Sequence, residues 1–178
     1  AEQDEQNRRL KLIASCTPVL SALAGPDARI HAPAALEALD EEARALFADQ
    51  LQYVLNTLVF ERSEEMLQAK IQFEKGDTTN LEGPAFLAYQ ATRKVYDKAF
   101  SCAGLRLGRL LDDQAEFVLE VDLAGRLARR LEALRIHHET QVRTLADGLA
   151  LNAALADYGQ MIVMAPEPFD DFKGLFLF

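Results

Sequence analysis

Residues 126–149 read RLARRLEALRIHHETQVRTLADGL. Within them Leu127, Leu131, Leu134, His138, Val142, Leu145 and Leu149 recur at steps of three and four, which puts them on one side of an α-helix. Such a stripe is stable in water only when it is covered by another helix, so the segment predicts an antiparallel bundle. The helix is expected to open near Asp113, with Glu116 three residues on completing a capping box, and to run toward Val163.

The same periodicity recurs in three earlier segments. The first spans about Asp4 to Ala24, with Pro18 as a kink or stop and Gly25-Pro26-Asp27 as a turn. The second runs from about Pro33 to Lys75, and Asp40-Glu41-Glu42 offers a place to split it. Thr78 to Gly83 reads as a loop, and Pro84 opens a third helix that carries Phe86, Leu87, Tyr89, Val95, Tyr96, Phe100, Leu107 and Leu111. In that third helix Gly104 and Gly108 lie one turn apart, a spacing that would let a neighbouring backbone approach, with plain packing or end fraying as the simpler reading. No convincing strand is present, Met161-Ile162-Val163-Met164 being the weakest point of that statement. The expected fold is therefore all-α: a single-domain bundle of four to six helices over residues 1–164. A Pro- and Phe-rich apolar tail over 165–178 would pack on the bundle or on a partner.

A chain of 178 residues with 49% hydrophobic and 26% charged side chains can build a core without a metal or disulfide. Its formal charge of −9 opposes nucleic-acid phosphate, so no nucleic-acid partner is expected. No unbroken apolar stretch reaches the roughly 18 residues of a membrane helix. The start Ala1-Glu2-Gln3-Asp4-Glu5 resembles the mature end left by a signal peptidase, although a trimmed tag or a cloned fragment would look the same. Export to the periplasm or outside the cell is expected, with the cytoplasm as the alternative. In an exported chain Cys16 and Cys102 would form one disulfide, closing a loop of roughly 85 residues and contributing ~4–5 kcal/mol in the chain-entropy model. Two buried thiols behaving as small hydrophobes are the other reading.

Several chemistries lack their motifs. There is no His-Glu-x-x-His, no Glu-x-x-His pair, no Cys-x-x-Cys-His, no P-loop, no dinucleotide glycine fingerprint and no nucleophile elbow. These absences leave an unfamiliar site open, but no catalytic residues and no cofactor are assigned. Four groups are candidates for binding. His137 and His138 flank and enter the apolar seam, where a nearby Glu139 could bring a ring to titrate near neutral pH, or a metal could bind. Arg126, Arg129 and Arg130, with Arg135, Arg143, Arg106 and Arg109 nearby, could take an anionic ligand or simply pair with Glu61, Glu64 and Glu65 of the second helix. Acidic residues at Glu2, Asp4, Glu5 and Asp40 to Glu42 could face a basic partner or merely favour helix starts. Phe169, Phe172 and Phe176 of the tail could anchor a partner or close the core. Together these point to a non-enzymatic protein that binds another macromolecule, such as an inhibitor, an immunity-type protein or an envelope assembly component. The protein partner is unidentified and the oligomeric state is open. A helical sensor or carrier of a small ligand is the alternative.

Overall fold

A computed structural model of the chain describes residues 1–163, the last four by their backbone alone. All four periodic segments are present as helix, each divided once, and no strand occurs among the described residues. The first segment gives α1 (Glu2–Ser15) and α2 (Thr17–Ala24), the second α3 (Ala28–Glu37) and α4 (Glu41–Lys75). The third gives α5 (Pro84–Cys102) and α6 (Leu107–Asp113), the fourth α7 (Ala115–Glu120) and α8 (Leu123–Val163). The protein is all-α, and no helix among the described residues is long and apolar enough to cross a membrane.

The divisions have local causes. Pro18 lies in the first turn of α2, where its missing N–H costs nothing, so the first segment stops just before it, the second of the two outcomes expected there. Asp40 is extended and precedes Glu41 and Glu42, whose charges suit the positive end of α4. Asp27 and Asp122 both take left-handed backbone at the entrances of α3 and α8, a conformation that aspartate tolerates better than most residues. The expected capping box at Asp113 does not form. Asp113 ends α6 and its carboxylate pairs with Arg109 at 2.9 Å, while Gln114 precedes α7. The cap of α8 is Asp122, whose Oδ1 accepts the Gly125 N–H at 3.1 Å. A Cβ at Gly125 would run into that carboxylate. At Gly104 and Gly108 a Cβ would meet nothing within 4 Å, so no backbone approaches them, and Gly104 instead belongs to the break between α5 and α6.

The chain forms two compact units. The larger, Lys11–Leu134, holds one hydrophobic core. Phe47, Leu51, Val54, Leu55 and Leu58 of α4 are all at most 5% exposed and share that core with Val19, Leu23, Leu110, Leu123, Leu127 and Leu131. Core burial on α4 stops at Leu58, and it resumes on α5 only at Ala99. Between them α4 and α5 run as a hairpin zipped by Phe73 against Phe86 and Tyr89, at 5.3 and 6.1 Å between ring centroids. Among the described residues the smaller unit pairs Ala1–Leu10 with residues 135–163. There the seam of α8 fades: His138 is buried, Val142 and Leu145 are half-buried, and Leu149 is exposed.

Cys16 and Cys102 are free thiols, against the expected disulfide. Both are wholly buried members of the core. Cys16 Sγ donates to the carbonyls of Leu12 and Ala43, at 3.5 and 3.8 Å, as a small polar-tipped hydrophobe would. Burial pushes its thiol up to about 11 and raises that of Cys102, so neither supplies the thiolate that disulfide exchange needs.

Two outcomes are expected. Titration of the unreduced, denatured protein should count two thiols per chain; a count of zero would restore the disulfide. Phe47→Ala should lower the unfolding free energy by about 3–5 kcal/mol in denaturant melts, because it removes the largest of the fully buried side chains.

Candidate functional site

Leu127 and Leu131 of α8 are fixed in the core, and helix geometry then places Arg126, Arg130 and Arg129 along one border of that face. α4 supplies the opposing wall with Gln50, Tyr53 and Thr57, which border the buried stripe at steps of three and four. The result is a groove of about 320 Å³ lined by Tyr53, Val54, Thr57, the three arginines and Ala133. Arg126, Arg129 and Arg130, grouped in the sequence, thus line one groove, beside Gln50, Tyr53 and Thr57, which the sequence did not single out. Their signal was a polar row at helical spacing beside an apolar stripe.

The three guanidinium groups differ. Arg126 is committed internally: Nε donates to the Val121 carbonyl at 2.9 Å and Nη1 to Glu61 Oε2 at 3.2 Å. The pairing with an acid of the second periodic segment therefore occurs, through Glu61. Arg130 is held by a hydrogen bond from Nε to Gln50 Oε1 at 2.8 Å, and its Cζ sits over Tyr53, 3.7 Å from the ring centroid. Among the described residues its Nη groups have no protein acceptor, and Arg129 is exposed with none at all. Arg109 is neutralised by Asp113, Arg29 by Asp112 at 3.1 Å, and Arg135 by Glu139 at 2.6 Å.

The histidines belong to the smaller unit. His138 is 7% exposed, and its Nδ1 lies 2.6 Å from Gln6 Oε1 of α1, so the ring directs an Nδ1 proton to the amide. His137 is exposed and meets His138 edge-on at 5.1 Å. Glu139 is drawn away to Arg135. Burial, His137 and Arg9, in that order, hold the pKa of His138 below the ordinary histidine value. Among the described residues no group of three or more His, Cys, Asp or Glu could hold a metal ion.

The acidic candidates are also partly spoken for. Arg8, with Arg9, hydrogen-bonds the Glu5 carboxylate and holds it down at about 2. Glu41 and Glu42 start α4. Phe169, Phe172 and Phe176 lie outside the described residues. Comparison of the chain with protein-family models, with curated proteins and with solved structures finds no match. The functional reading rests on the residues themselves.

A buried histidine with a lowered pKa gives stability a defined pH dependence. Its native contribution is complete above the unfolded value near 6.5 and is lost as pH falls through that value and on through the folded one. The His138 ring should therefore titrate below the ordinary value in a proton NMR series, and His138→Gln should flatten the loss of stability between about pH 7 and pH 5.

Proposed function

We propose that the protein is an exported, non-enzymatic binding protein that docks an amphipathic helix of a partner protein along the α4–α5 hairpin. One observation carries the reading: from Val59 to Lys98 no side chain of this hairpin is buried, yet the surface is rich in large apolar groups. Phe60, Leu67 and Ile71, 65%, 45% and 42% exposed, recur at steps of seven and four and share one side of α4. Leu87, Val95 and Phe100 are likewise exposed on α5, on more than one side of that helix. A two-helix hairpin buries only its inner seam, and a third helix is the ordinary way to cover what remains.

Charge defines the chemistry of the occupant. Arg93, Lys94 and Lys98 stand exposed on α5, and among the described residues none is in an ion pair. A helix with an apolar stripe flanked by Asp and Glu would meet both features, in the manner of groove-bound helical segments. Inhibitors, immunity-type proteins and assembly components all work through surfaces of this kind, without a reactive group. Export is a separable part of the proposal. Two thiols held in the core need no oxidising compartment, so fractionation of the source cells tests localisation by itself.

The test compares the full chain with a Leu67→Asp/Ile71→Asp variant as bait in envelope extracts. Both positions are exposed, so the melting temperature should stay within a degree or two. The expected result is a partner retained by the full chain and lost by the variant, with hydrogen-exchange protection on binding confined to residues 60–100. Equal capture by both proteins, or protection elsewhere, would overturn the docking surface. Substrate turnover by the purified chain alone would overturn the non-enzymatic reading.

A further inference from the structure

We infer that the groove between α4 and α8 binds a carboxylate carried on an apolar stem, with Arg130 and Arg129 as its recognition residues. The inference is independent of the hairpin surface, because it uses the first half of α4 and the start of α8.

The guanidinium groups differ in what each has left to give. Arg126 donates Nε to the Val121 carbonyl and Nη1 to Glu61, whose carboxylate offsets its charge at one end of the groove. Arg130 spends only Nε, on Gln50. The Gln50 hydrogen bond and the contact of Cζ with the Tyr53 ring hold the head at two points, which leaves the two Nη groups without a protein acceptor among the described residues. A planar fork held in place loses little freedom on binding and matches the two oxygens of a carboxylate. Arg129 adds a second uncompensated positive charge at the same border. The lining contains no carboxylate, in a chain whose formal charge is −9. Two unspent guanidinium groups in one groove are therefore a concentrated exception to the surface around them.

The rest of the lining selects among anions. Val54, Ala133 and the edge of Tyr53 offer apolar contact, and the Thr57 hydroxyl is already engaged as a donor to the Tyr53 carbonyl at 2.8 Å. Inorganic phosphate would gain the two guanidinium groups but would leave the apolar wall uncovered and its remaining oxygens without donors. A carboxylate on a methylene or aryl stem uses both parts of the groove. Two sources carry that chemistry: a Glu or Asp side chain of a partner peptide, or a free small carboxylic acid.

The test follows Arg Nε–H and backbone amide signals of the full chain by NMR at low salt, with three probes. These are N-acetyl-Phe-Glu-amide, 3-phenylpropionate and inorganic phosphate. The expected result is saturable shifts at Arg129, Arg130, Val54 and Ala133 with one or both carboxylates, and weaker binding of phosphate. Arg129→Ala, at an exposed position that should not disturb folding, should weaken the carboxylate roughly tenfold. Arg130→Lys, which keeps the charge and removes the fork, should weaken it by a similar factor. Tighter binding of the peptide assigns the groove to a protein partner, and tighter binding of the free acid assigns it to a small ligand. No saturable shift, equal response to phosphate, or full affinity in Arg129→Ala would overturn the inference.

Discussion

Five side chains of α4, Phe47, Leu51, Val54, Leu55 and Leu58, leave water together, and the larger unit is arranged around that requirement. Burying each contributes about 1.5–3 kcal/mol. The half-exposed Arg126–Glu61 pair contributes ~0–1 kcal/mol by comparison. The core therefore decides the orientation of α8, and the arginines follow from it. With Leu127 and Leu131 locked inward, Arg126 and Arg130 have no choice but to border the core, and Arg129 to stand beyond them. Polar groups of α4 then finish the work by fixing two of the three heads in space.

How much of this could be read from the chain differs by feature. The apolar stripes of all four segments were legible, because a three- and four-residue rhythm has one economical solution in water. Two of the four divisions were legible too, at Pro18 and at Asp40, where a residue type forces a local choice. The divisions at Gly104 and at Asp122 were not, since neither an isolated glycine nor an Asp-Leu step announces whether a helix ends. The extent of burial escaped sequence reading altogether. Leu67, Ile71 and Leu149 continue stripes whose earlier members are buried, and periodicity cannot say where the covering helix runs out. The disulfide inference failed because an even number of cysteines speaks about compartment, while pairing depends on where each residue is packed. Among the site residues, the pairing of Arg126 with Glu61 was visible as charge complementarity. The Gln50 and Tyr53 supports of Arg130 were invisible, because an amide and a phenol at a helix border are ordinary.

The distribution of charge gives the functional readings a common sense of sign. The chain as a whole is acidic, yet α5 and the start of α8 carry Arg93, Lys94, Lys98, Arg129 and Arg130, none of which is in an ion pair among the described residues; Lys11, Lys75, Arg106 and Arg143 are the others. Elsewhere the basic residues are largely consumed within a turn of helix, as in Arg8 with Glu5, Arg62 with Glu65 at 3.0 Å, and Arg109 with Asp113. At long range the net charge of −9 governs the field, so the unpaired cations act only on a group already close to them.

The entrance of α8 has an implication for how the sequence can drift. Asp122 caps the helix from a left-handed backbone, and its carboxylate occupies the volume that any side chain at position 125 would need. The two positions are thus coupled. A side chain gained at 125 would turn the Asp122 carboxylate out of its capping place, so the toll of such a change falls on the start of this one helix and leaves the packed interior untouched.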